Sequence, residues 1–315
     1  MDQLSAMRVF VRVVEMGNFT RAAASLNMPK TTVTNLVQSL EARLSTKLLN
    51  RTTRRVMVTT DGALYYERAL QIIGDVDELD NSLSTSQAQP SGRLRVEMAG
   101  IFADLIVLPG MCDFHTGFPQ IQLDIGVGDR LVDYIAENVD CALRGGTPAD
   151  QSLIARKVGE LRLQCYAAPQ YLERFGRPEH PEDLATSHYC VGYLHAQSGR
   201  VWTMDFTRGE EFHQVDPRYI ISVNDSRTYL NAAISGLGIV QSAPFFVKDA
   251  IARGELVPVL TDWQCERLPL YIVYPRTRHL SNKVRVFIDW LARQLQVIDR
   301  IPFDLDVTDF QRKAS

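Results

Sequence analysis

Apolar residues recur at helical spacing through the first 45 positions. Leu4, Met7, Phe10, Val11 and Val14 mark one amphipathic helix, which Gly17-Asn18 ends. Thr20 is placed to cap a second, over residues 21–26. Pro29 suits the start of a third, 30–45, buried along Val33, Val37, Leu40 and Leu44. Residues 48–60 read as two short β-prone stretches around an Arg/Thr-rich tip. Asp61 then caps a long helix to about 87, in which Tyr65, Ala69, Ile72, Val76, Leu79 and Leu83 alternate at spacings of three and four. That stripe serves either a partner helix or the chain's own body. Residues 84–92 are polar with Pro90 and Gly92, and predict a hinge.

From Arg93 the period changes. Strands are predicted at 94–98, 121–127, 140–144, 164–167, 219–223, 238–241 and 270–274, and helices at 103–116, 131–137, 226–234 and 282–295. This alternation predicts an α/β region with a mainly parallel sheet covered by helices.

Charge adds a direction to the picture. Residues 1–60 hold nine basic side chains against three acidic, whereas the whole chain has 34 basic and 37 acidic. A basic head on an acidic body points to phosphate, whose neutralisation releases counterions. Lys30, Thr31, Thr32, Thr34, Asn35 and Gln38 lie off the apolar stripe of the third helix. These are side chains that reach base edges and phosphates from a helix in the major groove. Thr20 and Arg21 precede it, and Arg51, Thr52, Arg54 and Arg55 surround the tip of a hairpin that would form a wing. Double-stranded DNA is the predicted partner.

Here the chain resembles the LysR-type transcriptional regulators. The likeness is carried by Phe10, the run Asn18-Phe19-Thr20-Arg21-Ala22-Ala23, Leu40-Glu41, and Leu48-Leu49-Asn50-Arg51-Thr52 through Thr59. It continues through Pro109, Phe118-Pro119, Ala168-Pro169-Gln170-Tyr171-Leu172 and Gly236-Leu237-Gly238. Where the family usually has Ser-Arg, this chain has Thr34-Asn35, so base preference does not carry over from relatives. The resemblance implies a winged helix-turn-helix at 1–60, a linker and dimerisation helix with its hinge at 61–92, and a two-lobed effector domain at 93–300 similar to periplasmic solute-binding proteins. Lobe I would take about 93–161 and 267–296 and lobe II about 162–266, with a tail at 297–315. It further implies a homodimer or homotetramer, a small-molecule effector such as an organic acid or aromatic, and RNA polymerase as a further partner.

Ligands in open α/β sheets bind beyond the carboxyl ends of the strands. That selects Gly100, Ile101, Phe102, Val127, Gly128, Arg144, Gly145, Asn224, Asp225 and Ser226, with Pro244 and Phe245 near the rim. Many relatives carry Ser or Thr in the first of these loops, so Ile101-Phe102 makes a drier pocket. Arg144 suits an effector's acid, Asp140 or a backbone carbonyl equally.

Other chemistry is poorly supported. His188, Cys190 and His195 fit no zinc spacing, Gly236-Leu237-Gly238 lacks the third glycine of a dinucleotide site, and no Walker or nucleophile-elbow sequence occurs. No cofactor, metal or catalytic residue is predicted. No apolar run of about 18 residues offers a membrane span, and the N-terminus makes a poor signal peptide, so cytoplasm is expected. Five scattered cysteines read as reduced thiols. Two other readings stand beside the regulator: a solute-binding or enzymatic α/β protein whose N-terminal helices only oligomerise, and a regulator switched by cysteine oxidation. The first leaves the Arg-rich tip unexplained.

Overall fold

The computed structural model describes residues 2–51, 56–84, 89–130, 132–134, 136–148, 150–196, 198–276 and 280–299, and divides the chain into Met1–Gly92 and Arg93–Ser315. In the first unit, Asp2 accepts a hydrogen bond from the Leu4 amide and starts α1 (Gln3–Met16). Gly17 ends it at φ +59°, where a side chain would be strained. Asn18, rather than Thr20, caps α2 (Phe19–Ser25), accepting from the amides of Thr20 and Arg21 at 2.7 and 3.2 Å. From the residue just before the first turn the Asn18 side-chain oxygen meets two otherwise unpaired amides, and the helix starts at Phe19. Pro29 then precedes α3 (Lys30–Leu44). Val33, Val37 and Leu40 are fully buried against Ala6, Val9, Phe10 and Val13 of α1, while Ala22 and Ala23 keep α2 close.

The strands β1 (Leu49–Arg51) and β2 (Val56–Val58) pair antiparallel, Leu49 opposite Val58, and form the base of the wing. Thr59, not Asp61, caps α4 (Thr60–Ser84): its Oγ1 accepts from Gly62 N at 2.9 Å and donates to Lys47 O at 2.7 Å. The predicted seam divides. Tyr65 and Ala69 pack into the head's own core with Tyr66, Leu70 and Ile73, whereas Ile72 is exposed. The side chains of Leu79 and Leu83 lie outside the described residues, as does the segment 85–88 of the hinge.

The second unit begins with β3 (Gly92–Met98) and a helical stretch over 100–117: α5 (Gly100–Phe102), a π turn at Ala103–Val107, a 3-10 turn at Leu108–Gly110 and α6 (Met111–Gly117). Pro109 has no N–H to donate into the helical ladder, so the regular helix expected at 103–116 is broken there. After β4 (Ile121–Val127), the helix expected at 131–137 is replaced, among the described residues, by turns. Asp133 Oδ1 takes the Ala136 amide, and Asn138 stands at φ +56°, so a single turn closes before a helix can propagate.

Then come β5 (Cys141–Gly145), β6 (Leu153–Arg162), β7 (Gln164–Ala167), α7 (Pro169–Phe175), α8 (Asp183–Thr186), β8 (Cys190–Tyr193), β9 (Met204–Arg208) and β10 (Glu211–Val215). The order continues with β11 (Tyr219–Val223), α9 (Ser226–Ile234), β12 (Val240–Ser242), α10 (Pro244–Ala252), β13 (Val257–Val259), β14 (Gln264–Cys265), β15 (Arg267–Pro275) and α11 (Asn282–Asp299). One sheet, β4-β3-β5-β15-β6, lies under a core of Leu94, Val96, Leu143, Ile272, Phe287 and Leu291. A second core, with Tyr166, Val191, Phe206, Ile239 and Trp263, is built on β12-β7-β13, β11-β8 and β10-β9-β14. The expectation of a mainly parallel sheet is corrected to mixed sheets. β3 and β5 run parallel, as do β8 and β11, but β15 returns from the second lobe antiparallel to both β5 and β6, and β7 is antiparallel to both its neighbours.

Gly236-Leu237-Gly238 has a packing role here. Gly236 ends α9 at φ +74°, and a Cβ on Gly238 would stand 2.7 Å from the Cys190 carbonyl carbon.

Candidate functional site

The head presents one polar helix face. Lys30, Thr31, Thr32, Asn35 and Gln38 are exposed along α3 and Thr34 is half-buried, opposite the buried valines and Leu40. The first-turn amides of α3 have no intrahelical acceptors, and Pro29 supplies no side-chain cap, so they are available to a phosphate oxygen. Thr20 and Arg21 are exposed at the start of α2. Among the described residues Arg21 and Lys30 enter no ion pair, whereas Arg12 is paired with Glu15 and Lys47 with Glu41, each at 3.0 Å. Thr52, Arg54 and Arg55, together with the side chain of Arg51, lie outside the described residues.

The wing is held by a residue that the sequence offered only as part of a family-like pair. Glu41 is 3% exposed, and its carboxylate accepts from Leu48 N, Leu49 N and Lys47 Nζ at 3.0, 3.1 and 3.0 Å. Burial pushes this carboxyl up, but Lys47 and the two amides outweigh it, and the group sits below its ordinary value.

Between the two lobes of the second unit lies a cavity of about 410 Å³, a size suited to a small organic molecule. Of the residues expected there, Ile101, Phe102, Arg144, Gly145 and Ser226 line it. Gly100 packs beneath the Arg227 side chain, Val127 and Asn224 are exposed, and the Asp225 carboxylate caps α9 through Thr228 N at 2.7 Å. Gly128 gives its carbonyl to Arg144, Pro244 opens α10, and Phe245 packs edge-on against Phe246. The cavity wall also includes Asp129, Tyr193, Trp202, Tyr229 and Phe246, which sequence reasoning did not select. Asp129 directly follows Gly128, one of the expected residues.

Asp129 joins the lobes. It stands on the loop after β4, and its Oδ2 accepts from the Tyr193 hydroxyl at 2.6 Å and from the Ser226 amide at 2.7 Å, both of the other lobe. Burial first, and the neighbouring carboxylate second, hold the Tyr193 phenol well above its ordinary value, so it remains a donor. A carboxylate–guanidinium pair, Asp104 with Arg227, crosses between the lobes beside it. Arg144 Nη1 donates to Gly128 O at 3.1 Å, which satisfies the backbone-carbonyl alternative. Its Nε and Nη2 have no hydrogen-bond acceptor, and Asp129 Oδ1, Ser226 Oγ and Gln241 Nε2 are buried without partners as well. His195 stacks on Trp202 with centroids 5.2 Å apart, while His188 is packed in the core against the Tyr171 hydroxyl at 3.2 Å.

These two assemblies have counterparts in known proteins. Residues 4–63 match a family described as bacterial regulatory helix-turn-helix protein, lysR family, and residues 87–296 match the LysR substrate binding domain. An HTH-type transcriptional regulator of Escherichia coli, YhjC, is 37% identical over 292 residues, covering 93% of this chain and 97% of its own. An HTH-type transcriptional repressor of Pseudomonas aeruginosa is 35% identical over 291 residues, covering 92% of each. The solved structure of CrgA, a LysR-type regulator from Neisseria meningitidis, aligns with a TM-score of 0.55 at 31% identity, covering 92% of this chain and 98% of that one. The chain belongs to the LysR family of transcriptional regulators, and is not an enzyme. Among the described residues no helix is long and apolar enough to cross a membrane.

Proposed function

We propose that this protein is a sequence-specific DNA-binding regulator whose operator binding is set by a small molecule held between the lobes. The head reads DNA through Lys30, Thr31, Asn35 and Gln38 in the major groove, with the wing arginines on the flanking phosphates. Two copies joined through α4 would place two heads on half-sites about 10 base pairs, or a multiple of that, apart. The observation that carries the effector reading is the cavity itself, where polar atoms of Arg144, Asp129 and Ser226 lack partners among walls that are mostly apolar but also hold Tyr134, Asp150 and His195. A ligand that binds one lobe arrangement better than the other shifts operator affinity by the difference, about 1–3 kcal/mol in typical couplings.

The test measures affinity for DNA upstream of the protein's own coding region against unrelated duplex, across a salt series. The expected result is a preference for the upstream fragment, with the salt slope of Lys30→Ala shallower by about 1. Equal affinity for both duplexes would reject the reading.

A further inference from the structure

The polarity of the cavity restricts what it can hold, given the reading above that this cleft is the ligand site. A helix start is the usual place for a ligand's acid. At α9 that place is filled by the protein's own carboxylates. Asp225 takes Thr228 N and Thr228 Oγ1, both at 2.7 Å, and Asp129 reaches across to take Ser226 N. A second anion there meets two like charges. On the facing wall Arg144 has no carboxylate partner among the described residues, and two of its guanidinium nitrogens have no acceptor. An incoming acid would satisfy them. Arg144 is bonded to the carbonyl of Gly128, the residue before Asp129, so its guanidinium lies beside the loop that carries the unpartnered Asp129 Oδ1. A ligand using both carries its acid and a hydrogen-bond donor close together. The rest of the wall, including Phe102, Tyr229 and Phe246, accepts an apolar or aromatic body.

We propose that the cavity takes a small aromatic acid bearing a hydroxyl or amino group near its carboxylate, the acid on Arg144 and the neighbouring donor on Asp129 and Ser226.

The full-length protein would be titrated by calorimetry with mandelate and 2-hydroxybenzoate, with phenylacetate and benzoate lacking the hydroxyl, and with the two hydroxy-amides lacking the acid. At least one hydroxy acid is expected to bind about tenfold or more tighter than its deoxy partner and its amide. Arg144→Gln should reduce that acid to the level of its amide. Asp129→Ala, checked for folding by near-ultraviolet circular dichroism, and the milder Ser226→Ala should each diminish the hydroxyl preference. Fluorescence of Trp202, against a Trp202→Phe control, reports whether binding occurs in the cleft. Binding that perturbs Trp202 without preference for acid or hydroxyl would overturn the ligand class and leave the cleft reading standing. Binding indifferent to Trp202, Arg144 and Asp129 alike would overturn the cleft reading itself. No binding of any probe up to about 10 mM, far weaker than a built site of this size gives, would also reject the class.

Discussion

The carboxylate of Glu41 and the amide of Leu48, seven residues apart, meet at 3.0 Å and join the end of α3 to the root of the β1–β2 hairpin. Lys47 adds a charge, but its ammonium is largely in water, so most of the stabilisation comes from the two buried amides. Glu41→Ala is expected to destabilise the protein by about 2–3 kcal/mol, since two buried N–H groups lose their acceptor. The pH dependence has a definite sign. Glu41 sits below its ordinary 4.5 in the folded protein, so its contribution is present above about pH 4.5 and is lost as pH falls through the lower folded value. Denaturant unfolding of wild type and Glu41→Gln from pH 7 to 3 should therefore converge in acid. Parallel curves throughout would mean the carboxylate's charge contributes nothing.

Gly62 makes the neighbouring junction. A Cβ at this position would stand 2.0 Å from the Leu48 carbonyl oxygen, which already accepts from Thr59 N at 3.0 Å. The obstacle is backbone, so Gly62→Ala has to displace the start of α4 or the wing, at a cost of about 3 kcal/mol. Operator affinity should fall along with the thermal midpoint. A variant that melts and binds like wild type would show that the junction yields freely.

Much of this architecture was readable in the chain. The period of Leu4, Met7, Phe10 and Val33, Val37, Leu40 defines the helices of the head, because each stripe has one core to face. Segments such as Ile121–Val127, Gln164–Ala167 and Ser226–Ile234 have the predicted bounds, since each is short, apolar and closed by turn residues. What failed were choices between neighbouring capping groups, Asn18 against Thr20 and Thr59 against Asp61, which depend on reach and not on residue type. The edge strand Leu153–Arg162 escaped because its exposure does not alternate. Asp129 and Tyr193 escaped for a deeper reason. They lie 64 residues apart and meet only across the two lobes of the fold, and no local pattern encodes that encounter.

Asn35 and Lys30 should separate base reading from phosphate binding. Asn35 is exposed on α3 and carries an amide that matches the N6 and N7 atoms of adenine. Asn35→Ala is expected to cost about 1–3 kcal/mol at one operator position and to relax discrimination there, with the salt slope unchanged. Systematic base substitution across the operator, scored with both variants, checks this. A uniform loss over all operator variants would reassign Asn35 to the backbone.

Thiol chemistry tests the reading in which cysteine oxidation replaces a ligand. Cys141, Cys165 and Cys190 are fully buried, and Cys112 is exposed. Burial pushes the Cys190 thiol up to about 12 and raises Cys141 and Cys165 well above the ordinary value. Cys165 is raised further by Cys265 beside it. Since the thiolate is the reactive form, iodoacetamide at pH 8 should modify Cys112 first and leave the three buried thiols intact until the protein is unfolded. Intact-mass measurement before and after denaturation reads this directly. Rapid modification of Cys165 in the folded protein, together with loss of operator binding under peroxide that Cys165→Ser abolishes, would favour the redox reading. Their absence would remove the redox reading, and is the outcome expected if a ligand in the cleft carries the signal.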